Sequence, residues 1–268
     1  MQIRLLKTLL LGLPLLITGG CKEYFVEQLA FLPERASHYP PSQFSNTQEI
    51  WLSSHNELRI HGFYLSNTDS DKVVLFFHGN AGNVFSRLNH ADRIRNMGLN
   101  VLLIDYQGYG KSEGKPSELG VYQDAETAYQ YALNELGFMT DNIYVYGRSI
   151  GSTAAIDLAT NHNIAKTVLI APLQSGRAMA KEMGFGWLDF LVKGVFDNYE
   201  KSKQIVSPVL IIHGEQDRIV PVEQGQALYE AFVSKNKRLI RASDMGHNDL
   251  SNSEDIDFWS EIESFYMQ

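Results

Sequence analysis

Three polar residues, Ser149, Asp217 and His247, are candidates for nucleophilic catalysis because of their types and their order along the chain. A serine hydroxyl is a poor nucleophile at neutral pH, so it needs a base to take its proton and an acid to hold that base in the right tautomer. Histidine suits the first role and a carboxylate suits the second. The three residues could therefore form a covalent intermediate on the serine oxygen, provided that the fold brings them together.

Ser149 is the middle residue of a Gly-x-Ser-x-Gly pentapeptide at 147–151. The pentapeptide follows an apolar run, 143–146, that predicts a strand, and it precedes small residues, 152–155, that can begin a helix. The flanking glycines permit the tight turn that leaves a serine hydroxyl exposed at its tip. A turn of glycine and serine can also be no more than a connection, but the strand before it and the helix after it favour Ser149 as a nucleophile.

Asp217 lies in the segment 213–221, directly after the apolar run 209–212, which predicts a buried strand. In sheets of parallel strands, ligands bind beyond the carboxyl ends of the strands. We therefore predict that Asp217 is the acid that orients the histidine. Rival acids are Glu215, Asp244 and Asp249, of which Asp249 is expected to hydrogen-bond the loop backbone near the histidine.

His247 is the predicted general base among the eight histidines. A single histidine is usually a surface residue or a hydrogen-bonded structural one. His247 alone combines a loop after the last predicted strand, 238–242, with a preceding glycine and a position after both the serine and the acid. His213, at the end of a predicted strand, is expected to be structural and hydrogen-bonded to the acid loop.

Attack by a serine on a carbonyl creates an oxyanion, which two backbone N–H groups usually stabilise. One predicted donor is the amide of Ile150, directly after the nucleophile. The other is the amide of Asn80, in the glycine-containing loop 78–83 after the predicted strand 73–77. A glycine-rich phosphate cradle is excluded in this loop, because no Gly-Lys-Ser/Thr follows the glycines and the nearest basic residue is Arg87.

The elements that must position these residues are short apolar runs that alternate with helix-length amphipathic stretches from residue 49 onward. Strands buried on both faces are apolar throughout, and helices between them make parallel crossover connections. The prediction is an α/β fold with a doubly wound, mainly parallel sheet. The predicted strands are 59–65, 73–77, 101–104, 143–146, 167–170, 209–212 and 238–242, and the predicted helices lie near 87–97, 122–136, 152–160, 223–233 and 256–266.

Five motifs occur in a fixed order: HGNAGN at 78–83, DYQGYGKSEG at 105–114, GRSIG at 147–151, HGEQDRIVP at 213–221 and GHN at 246–248. Together they resemble the Bem46-like branch of the α/β-hydrolases, which includes the α/β-hydrolase domain-containing proteins 13 and 17. The resemblance covers about residues 45–268 and implies an eight-stranded-type sheet with serine hydrolase chemistry on acyl esters or thioesters. Ser149, Asp217 and His247 fall on that branch's triad positions. Gln107 stands where relatives often carry arginine, which puts no catalytic step in doubt, and members differ in substrate.

The composition is that of one large domain without a nucleic-acid partner. At 268 residues and 44% hydrophobic content, the chain can bury a substantial core. A formal net charge of -8, without a long block of like charge, argues against binding to nucleic acid. We predict an α/β-hydrolase domain at 45–268 with a short helical cap at about 172–207, whose methionines and aromatic residues either pack internally or line an acyl-binding wall. No metal or organic cofactor is implied.

The first twenty residues predict an export signal. Arg4 and Lys7 precede an apolar run, 9–17, which is too short to span a bilayer comfortably. A transmembrane anchor is therefore the weaker interpretation, and we predict a signal peptide at 1–20.

Cys21 is the only cysteine, and it directly follows two glycines at the end of the apolar run. Its position resembles a bacterial lipobox, although Thr18 stands where leucine is preferred, and an incidental thiol is the alternative. A lipidated Cys21 would hold the domain on a membrane surface through a linker at 21–44. By resemblance to Gram-negative sorting rules, Lys22 favours the outer membrane, with the protein facing the periplasm.

Three hypotheses for function remain. The leading one is hydrolysis of a small-molecule or lipid acyl ester, as by an esterase, lipase or acyl thioesterase. A serine peptidase ranks lower, because the sequence contains neither a separate propeller domain nor an acidic cluster near the nucleophile. A catalytically silent surface lipoprotein that binds a partner ranks lowest, because a binding scaffold has no need for an intact triad and both oxyanion loops.

Overall fold

The computed structural model describes residues 27, 30–35 and 44–268. The predicted signal segment 1–20, Cys21 and most of the predicted linker 21–44 lie outside the described residues. Within the part of the chain that is described, no helix combines the length and the apolar character needed to cross a membrane.

The described residues form eight strands: β1 (Thr47–Ser53), β2 (Arg59–Leu65), β3 (Val73–Phe77), β4 (Asn100–Ile104), β5 (Ile143–Arg148), β6 (Lys166–Ile170), β7 (Val209–Gly214) and β8 (Lys237–Ala242). They make one sheet in the order β1-β2-β4-β3-β5-β6-β7-β8. β2 is antiparallel to both of its neighbours, and every other pair is parallel. The predicted fold, a mainly parallel α/β-hydrolase sheet, is confirmed.

Helices connect the strands and cover both faces of the sheet. Alternate residues of a strand point to opposite faces, and β3 accordingly divides its side chains between two apolar clusters. One cluster includes residues of the helices Glu118–Asn134, Gly151–Asn161 and Val222–Ala231, and the other includes residues of the helices Leu88–Arg95 and Phe258–Met267. The α-helices are Leu88–Arg95, Glu118–Asn134, Gly151–Asn161, Gly176–Glu182, Asn198–Ser202, Val222–Ala231 and Phe258–Met267, numbered α1 to α7, and 3₁₀ helices occupy His55–Glu57, Val84–Arg87, Thr140–Asn142, Gly186–Val192 and Leu250–Asn252.

β1 was not among the predicted strands. It is an edge strand whose residues alternate between the core and solvent: Ile50 and Leu52 are buried, and Trp51 between them is exposed. Only three of its seven residues are apolar, and a rule based on continuous apolar runs therefore overlooks it.

Residues between β6 and β7 form a small cap of three short helices, α4, the 3₁₀ helix Gly186–Val192 and α5. The cap buries five of its apolar side chains, those of Ala180, Leu188, Val192, Val195 and Phe196. Its Trp187 and Phe190 side chains are exposed. The cap lies beyond the carboxyl end of β6, one strand away from β5 in the sheet. It therefore adjoins the turn that carries Ser149.

The loop after β4 is attached to α2 through a buried carboxylate that pairs with no basic side chain among the described residues. Asp124 accepts hydrogen bonds from the Gln107 backbone amide (2.7 Å), the Gln107 side-chain amide (3.0 Å) and the Ser54 hydroxyl (2.8 Å). Burial raises the pKa of Asp124 to about 6, although these hydrogen bonds act in the opposite direction. The arginine that relatives often carry at position 107 would instead supply a counter-charge.

We expect Gln107→Arg to have a higher free energy of unfolding than the unaltered protein at pH 7. The difference between the two proteins should grow as the pH rises from about 4 to about 7. A carboxyl group whose pKa is raised in the folded state gives stability that is present below its unfolded pKa and is lost as the pH rises through about 6. A guanidinium beside Asp124 removes that loss, which is on the order of 3 kcal/mol. Urea unfolding of both proteins across this pH range measures the difference.

The control for this prediction is the same substitution in an Asp124→Asn background. There the pH-dependent gain should disappear, because no carboxylate remains for the guanidinium to neutralise. An equal gain in that background would show that the arginine acts through other contacts.

Candidate active site

Ser149 lies on a strained turn between β5 and α3. Its φ is 52°, in the left-handed region that non-glycine residues seldom adopt, and its amide donates to the Ile170 carbonyl (2.8 Å). A Cβ at Gly151 would lie 2.2 Å from the Phe77 carbonyl oxygen, and one at Gly147 would lie 2.6 Å from the Gly151 carbonyl oxygen. Both glycines are therefore needed for the close approach of strand and helix that forces this turn.

The structure brings the three predicted catalytic residues into hydrogen-bond contact. The Ser149 Oγ lies 3.0 Å from the His247 Nε2, and the His247 Nδ1 lies 2.6 Å from the Asp217 Oδ2. Asp217 follows β7 and His247 follows β8, so the contacts join residues from three separate loops at the carboxyl ends of the parallel strands. This arrangement can move a proton from a serine hydroxyl to an imidazole that a carboxylate orients.

The Asp217 carboxylate is held ionised by hydrogen bonds from two histidines and from its own loop. Its Oδ1 accepts from the amides of Ile219 and Val220, both at 2.8 Å. Burial acts to raise the pKa of Asp217, but the hydrogen bonds from His213, His247 and the Val220 amide outweigh it and lower that pKa well below its ordinary value. The group therefore stays a carboxylate at neutral pH.

Each rival acid has another partner among the described residues. Glu215 pairs with Arg241 (2.9 Å), the Asp244 carboxylate accepts from the Ser253 hydroxyl (2.7 Å), and Asp249 accepts from the Gly246 amide (2.8 Å). The bond to Gly246 agrees with the expectation that Asp249 would bind the backbone near the histidine.

His213 is fully buried at the end of β7. Its Nε2 lies 2.8 Å from the Val220 carbonyl oxygen and 3.4 Å from the Asp217 Oδ2. The ring therefore braces the acid loop from within the core, as expected of a structural histidine.

The two predicted oxyanion donors, Asn80 and Ile150, line the same cavity as Ser149. The loop of Asn80 passes close to the serine, since a Cβ on Gly79 would lie 3.6 Å from the Ser149 Cβ. In the described part of the chain, neither the Asn80 nor the Ile150 amide donates to a backbone carbonyl. The Asn80 side-chain oxygen is held by the Tyr109 hydroxyl (2.7 Å) and the Leu32 amide (2.7 Å), which fixes the loop.

Asp105, which the sequence analysis did not single out, supports the Asn80 loop from below. This fully buried carboxylate accepts from the Val84 amide (2.9 Å) and lies 3.5 Å from the His78 Nε2 and 3.3 Å from the His61 Nδ1. Burial acts to raise its pKa, but the hydrogen bonds from His61, His78 and Val84 lower it. An acidic residue directly after a buried strand was the only signal that could have identified it.

Ser149 and His247 line a cavity of about 540 Å³ between the sheet and the cap. The cap side is apolar and includes Leu173, Met179, Met183, Val192, Val195 and Phe196. The described residues contain no group of three or more His, Cys, Asp or Glu side chains arranged to hold a metal ion. The cavity can therefore accept an apolar chain on one side while the reacting group meets the serine.

Comparison with known families identifies the chain as a hydrolase. Residues 68–184 and 175–254 match the family Hydrolase_4, described as serine aminopeptidase, S33. The chain is 34% identical over 189 residues to α/β-hydrolase domain-containing protein 17C of Xenopus tropicalis, covering 70% of this chain and 60% of that protein. It is also 34% identical over 192 residues to protein 17B of Homo sapiens, covering 70% of this chain and 64% of that protein. The chain thus spans somewhat less than two thirds of these relatives' length.

Solved structures share the fold. An esterase from Pyrococcus furiosus matches with a TM-score of 0.75 at 22% identity, covering 89% of this chain and 97% of the esterase. An α/β-hydrolase from Vibrio vulnificus matches with a TM-score of 0.67 at 25% identity, covering 82% of this chain and 81% of that one. The resemblance that the five motifs predicted is confirmed. The chain belongs to the Hydrolase_4 (serine aminopeptidase S33) family of α/β-hydrolases and is similar to α/β-hydrolase domain-containing proteins 17B and 17C.

Proposed function

We propose that this protein hydrolyses carboxylic esters or thioesters through an acyl-enzyme intermediate on Ser149. The observation that carries the proposal is the continuous relay from the Ser149 hydroxyl through His247 (3.0 Å) to Asp217 (2.6 Å), at the wall of a largely apolar cavity. The strained φ of Ser149 supports it, because strain of this kind is concentrated at functional sites.

In the proposed first half-reaction, the Ser149 oxygen bonds to the acyl carbon as its proton passes to the His247 Nε2. The carbonyl oxygen becomes an oxyanion that the amides of Asn80 and Ile150 stabilise. The tetrahedral intermediate then collapses: the bond from carbon to the leaving oxygen or sulfur breaks, and the proton on His247 passes to the leaving group. In the second half-reaction, water attacks the acyl-enzyme with the same base, and the acid and Ser149 are released.

The apolar cap side of the cavity is proposed to hold the acyl chain. We expect Ala180→Phe, on α4 in the cavity wall, to shift the preference among p-nitrophenyl esters toward shorter chains, because the added ring takes up cavity volume. The kcat/KM for esters of about eight or more carbons should fall at least about tenfold relative to that for the acetate. Rates for esters from two to sixteen carbons measure this shift.

The matched control is Ala178→Phe on the same helix. Ala178 lines a separate groove with Ser175 and Lys181, not the cavity of Ser149. An unchanged chain-length profile in this variant is expected. If Ala180→Phe also leaves the profile unchanged, the acyl chain does not lie against the cap.

A serine peptidase is the second candidate, favoured by the description of the family that the chain matches. Glu182 is the one acidic residue on the wall of the described cavity, against three arginines, Arg87, Arg148 and Arg218. A site that binds a peptide amino terminus needs negative charge, so this balance disfavours an aminopeptidase. Faster hydrolysis of amino-acid p-nitroanilides than of p-nitrophenyl esters would reverse the ranking.

We also propose that the protein is exported and lipidated at Cys21, which would bring it to a membrane that contains acyl-ester substrates. The proposal rests on the apolar run and the position of Cys21 after two glycines. Mass spectrometry of the membrane-extracted protein should find a diacylated or triacylated Cys21 at the amino terminus. An unmodified amino terminus at Met1 would contradict it.

A further inference from the structure

The charge on the cavity wall has the opposite sign to that of the whole chain. The chain carries a formal net charge of -8. Arg87, Arg148 and Arg218 nevertheless line the described cavity with only Glu182 opposing them. Arg218 is exposed, whereas Arg87 and Arg148 are half-buried. Solvent and salt screen a partly buried charge less than an exposed one, so these two arginines should act more strongly on a bound substrate.

Arg148 lines the cavity and holds the loop that carries His247. One of its terminal nitrogens, Nη2, donates to the His247 carbonyl (3.0 Å) and the Asn248 side-chain oxygen (3.2 Å). A guanidinium has five N–H donors, and no ion pair between Arg148 and a carboxylate is found among the described residues. His247 delivers its proton to the leaving group, so a cation on the cavity wall that is bonded to the His247 loop can meet a negative charge on that half of the substrate.

Arg87 lines the same cavity from the end of the 3₁₀ helix that follows the Asn80 loop. Its Nη2 donates to the Ala81 carbonyl oxygen (2.7 Å), while its buried Nε has no hydrogen-bond partner in the described part of the chain. Burial, followed by the positive charge of Arg148, lowers the pKa of Arg87, and exposed Glu34 opposes this effect. Arg87 and Arg148 therefore share one cavity wall, and the charge of Arg148 acts against that of Arg87.

His90, on α1, adds no charge of its own. Burial and then the charges of Arg148, Arg87 and Arg93 lower the pKa of His90 to about 4, so it is neutral at pH 7. Two half-buried cations that pair with no carboxylate among the described residues are unfavourable, because buried charges are usually paired. A bound anion would remove the repulsion, and arginine is the side chain best suited to phosphate oxygens.

We infer that Arg148 and Arg87 form a subsite for a phosphate group on the leaving half of the substrate. The inference rests on the proposed function and extends it: the substrates are acyl esters or thioesters of a phosphorylated alcohol or thiol. The acyl chain lies against the apolar cap, and the phosphate lies between the two guanidinium groups beside His247. Such a phosphate can come from a lipid headgroup or from a soluble phosphorylated thiol, and both present the same oxygens.

Two pairs of substrates with the same acyl chain test the subsite. The first pair is 1-lauroylglycerol 3-phosphate and 1-lauroylglycerol. The second pair is the S-lauroyl thioesters of 2-mercaptoethyl phosphate and of 2-mercaptoethanol, in which the phosphate lies only a few bonds from the reacting thioester. We expect the phosphorylated member of at least one pair to have a kcat/KM about tenfold to a hundredfold higher than its neutral partner. A preference in the first pair alone identifies a lipid headgroup, and one in the second pair alone identifies a soluble thiol.

The variants Arg148→Gln and Arg87→Gln should each reduce that ratio at least about fivefold, with every variant normalised to its own rate on the neutral member. Arg148→Lys keeps the charge and should retain a larger part of the ratio. The matched control is Arg93→Gln, on the same helix as His90 but outside the cavity wall, which should leave the ratio within about twofold.

The outcomes separate this inference from the proposed function. Turnover of the neutral esters with no preference for phosphate in either pair would overturn the subsite and leave the esterase proposal standing. If no ester is turned over, calorimetry of glycerol 3-phosphate binding to the Ser149→Ala variant decides: binding that weakens with Arg148→Gln supports the subsite, and no binding overturns it.

Discussion

Ser149→Ala is expected to lower kcat/KM for a p-nitrophenyl ester by about 10⁴- to 10⁶-fold while leaving the protein folded. The substitution removes the oxygen that would form the acyl-enzyme, and the residual rate would come only from binding and the oxyanion donors. Since the position has a φ of 52°, which alanine tolerates no worse than serine does, the fold should survive. Initial rates across a substrate series, with circular dichroism of both proteins, measure the effect.

Ser152→Ala is the matched control for this result. Ser152 is buried in the first turn of α3, and its hydroxyl donates to the Ser149 carbonyl oxygen (2.6 Å) without lining the cavity. We expect it to lower activity less than about tenfold, because it only supports the turn. A Ser149→Ala protein that kept more than about one hundredth of the activity would rule out Ser149 as the nucleophile.

Asp217→Asn is expected to lower kcat by about 10³- to 10⁴-fold with a smaller effect on KM. The amides of Ile219 and Val220 both need an acceptor, so the asparagine side-chain oxygen should remain with them. Its NH₂ group would then point at the His247 Nδ1, which would have to become an acceptor. The proton would move to Nε2, and the ring could no longer accept the proton of Ser149.

The control for Asp217 is Asp249→Asn. Asp249 lies on the histidine loop, but its carboxylate accepts from the Gly246 amide, so we expect it to affect loop geometry and to lower kcat less than about tenfold. A larger loss of kcat for Asp249→Asn than for Asp217→Asn would show that Asp217 is not the acid that orients His247.

The parts of the fold that could be predicted were those with a strong local signal. Strands such as Val73–Phe77 are buried on both faces, and their continuous apolar runs match the observed bounds. The loops that follow them could be placed at one edge of the sheet, because parallel strands present their carboxyl ends together. Ser149, Asp217 and His247 were identified from this rule together with the order of their motifs.

The parts that could not be predicted depend on contacts between distant segments. The Thr47–Ser53 strand was overlooked because its alternating pattern is weak without knowledge of its partner. Asp105 is the first residue of the DYQGYGKSEG motif, but the motif does not indicate its role. That role appears only once Asp105 lies beside His61 and His78. In the sequence Arg87 is only the basic residue nearest to the Asn80 loop, and the fold places it on the same cavity wall as Arg148.

The central claim is that Ser149 becomes covalently acylated with the help of His247, and trapping of the serine tests it most directly. The native protein should be treated with a fluorophosphonate ester, digested, and its peptides sequenced by mass spectrometry, beside the His247→Ala variant and heat-unfolded protein. We predict one stoichiometric adduct on Ser149 in the native protein, with labelling at least about a hundredfold slower in the variant and absent after unfolding. Labelling of another residue, or an unlabelled Ser149 in the folded protein, would contradict the account.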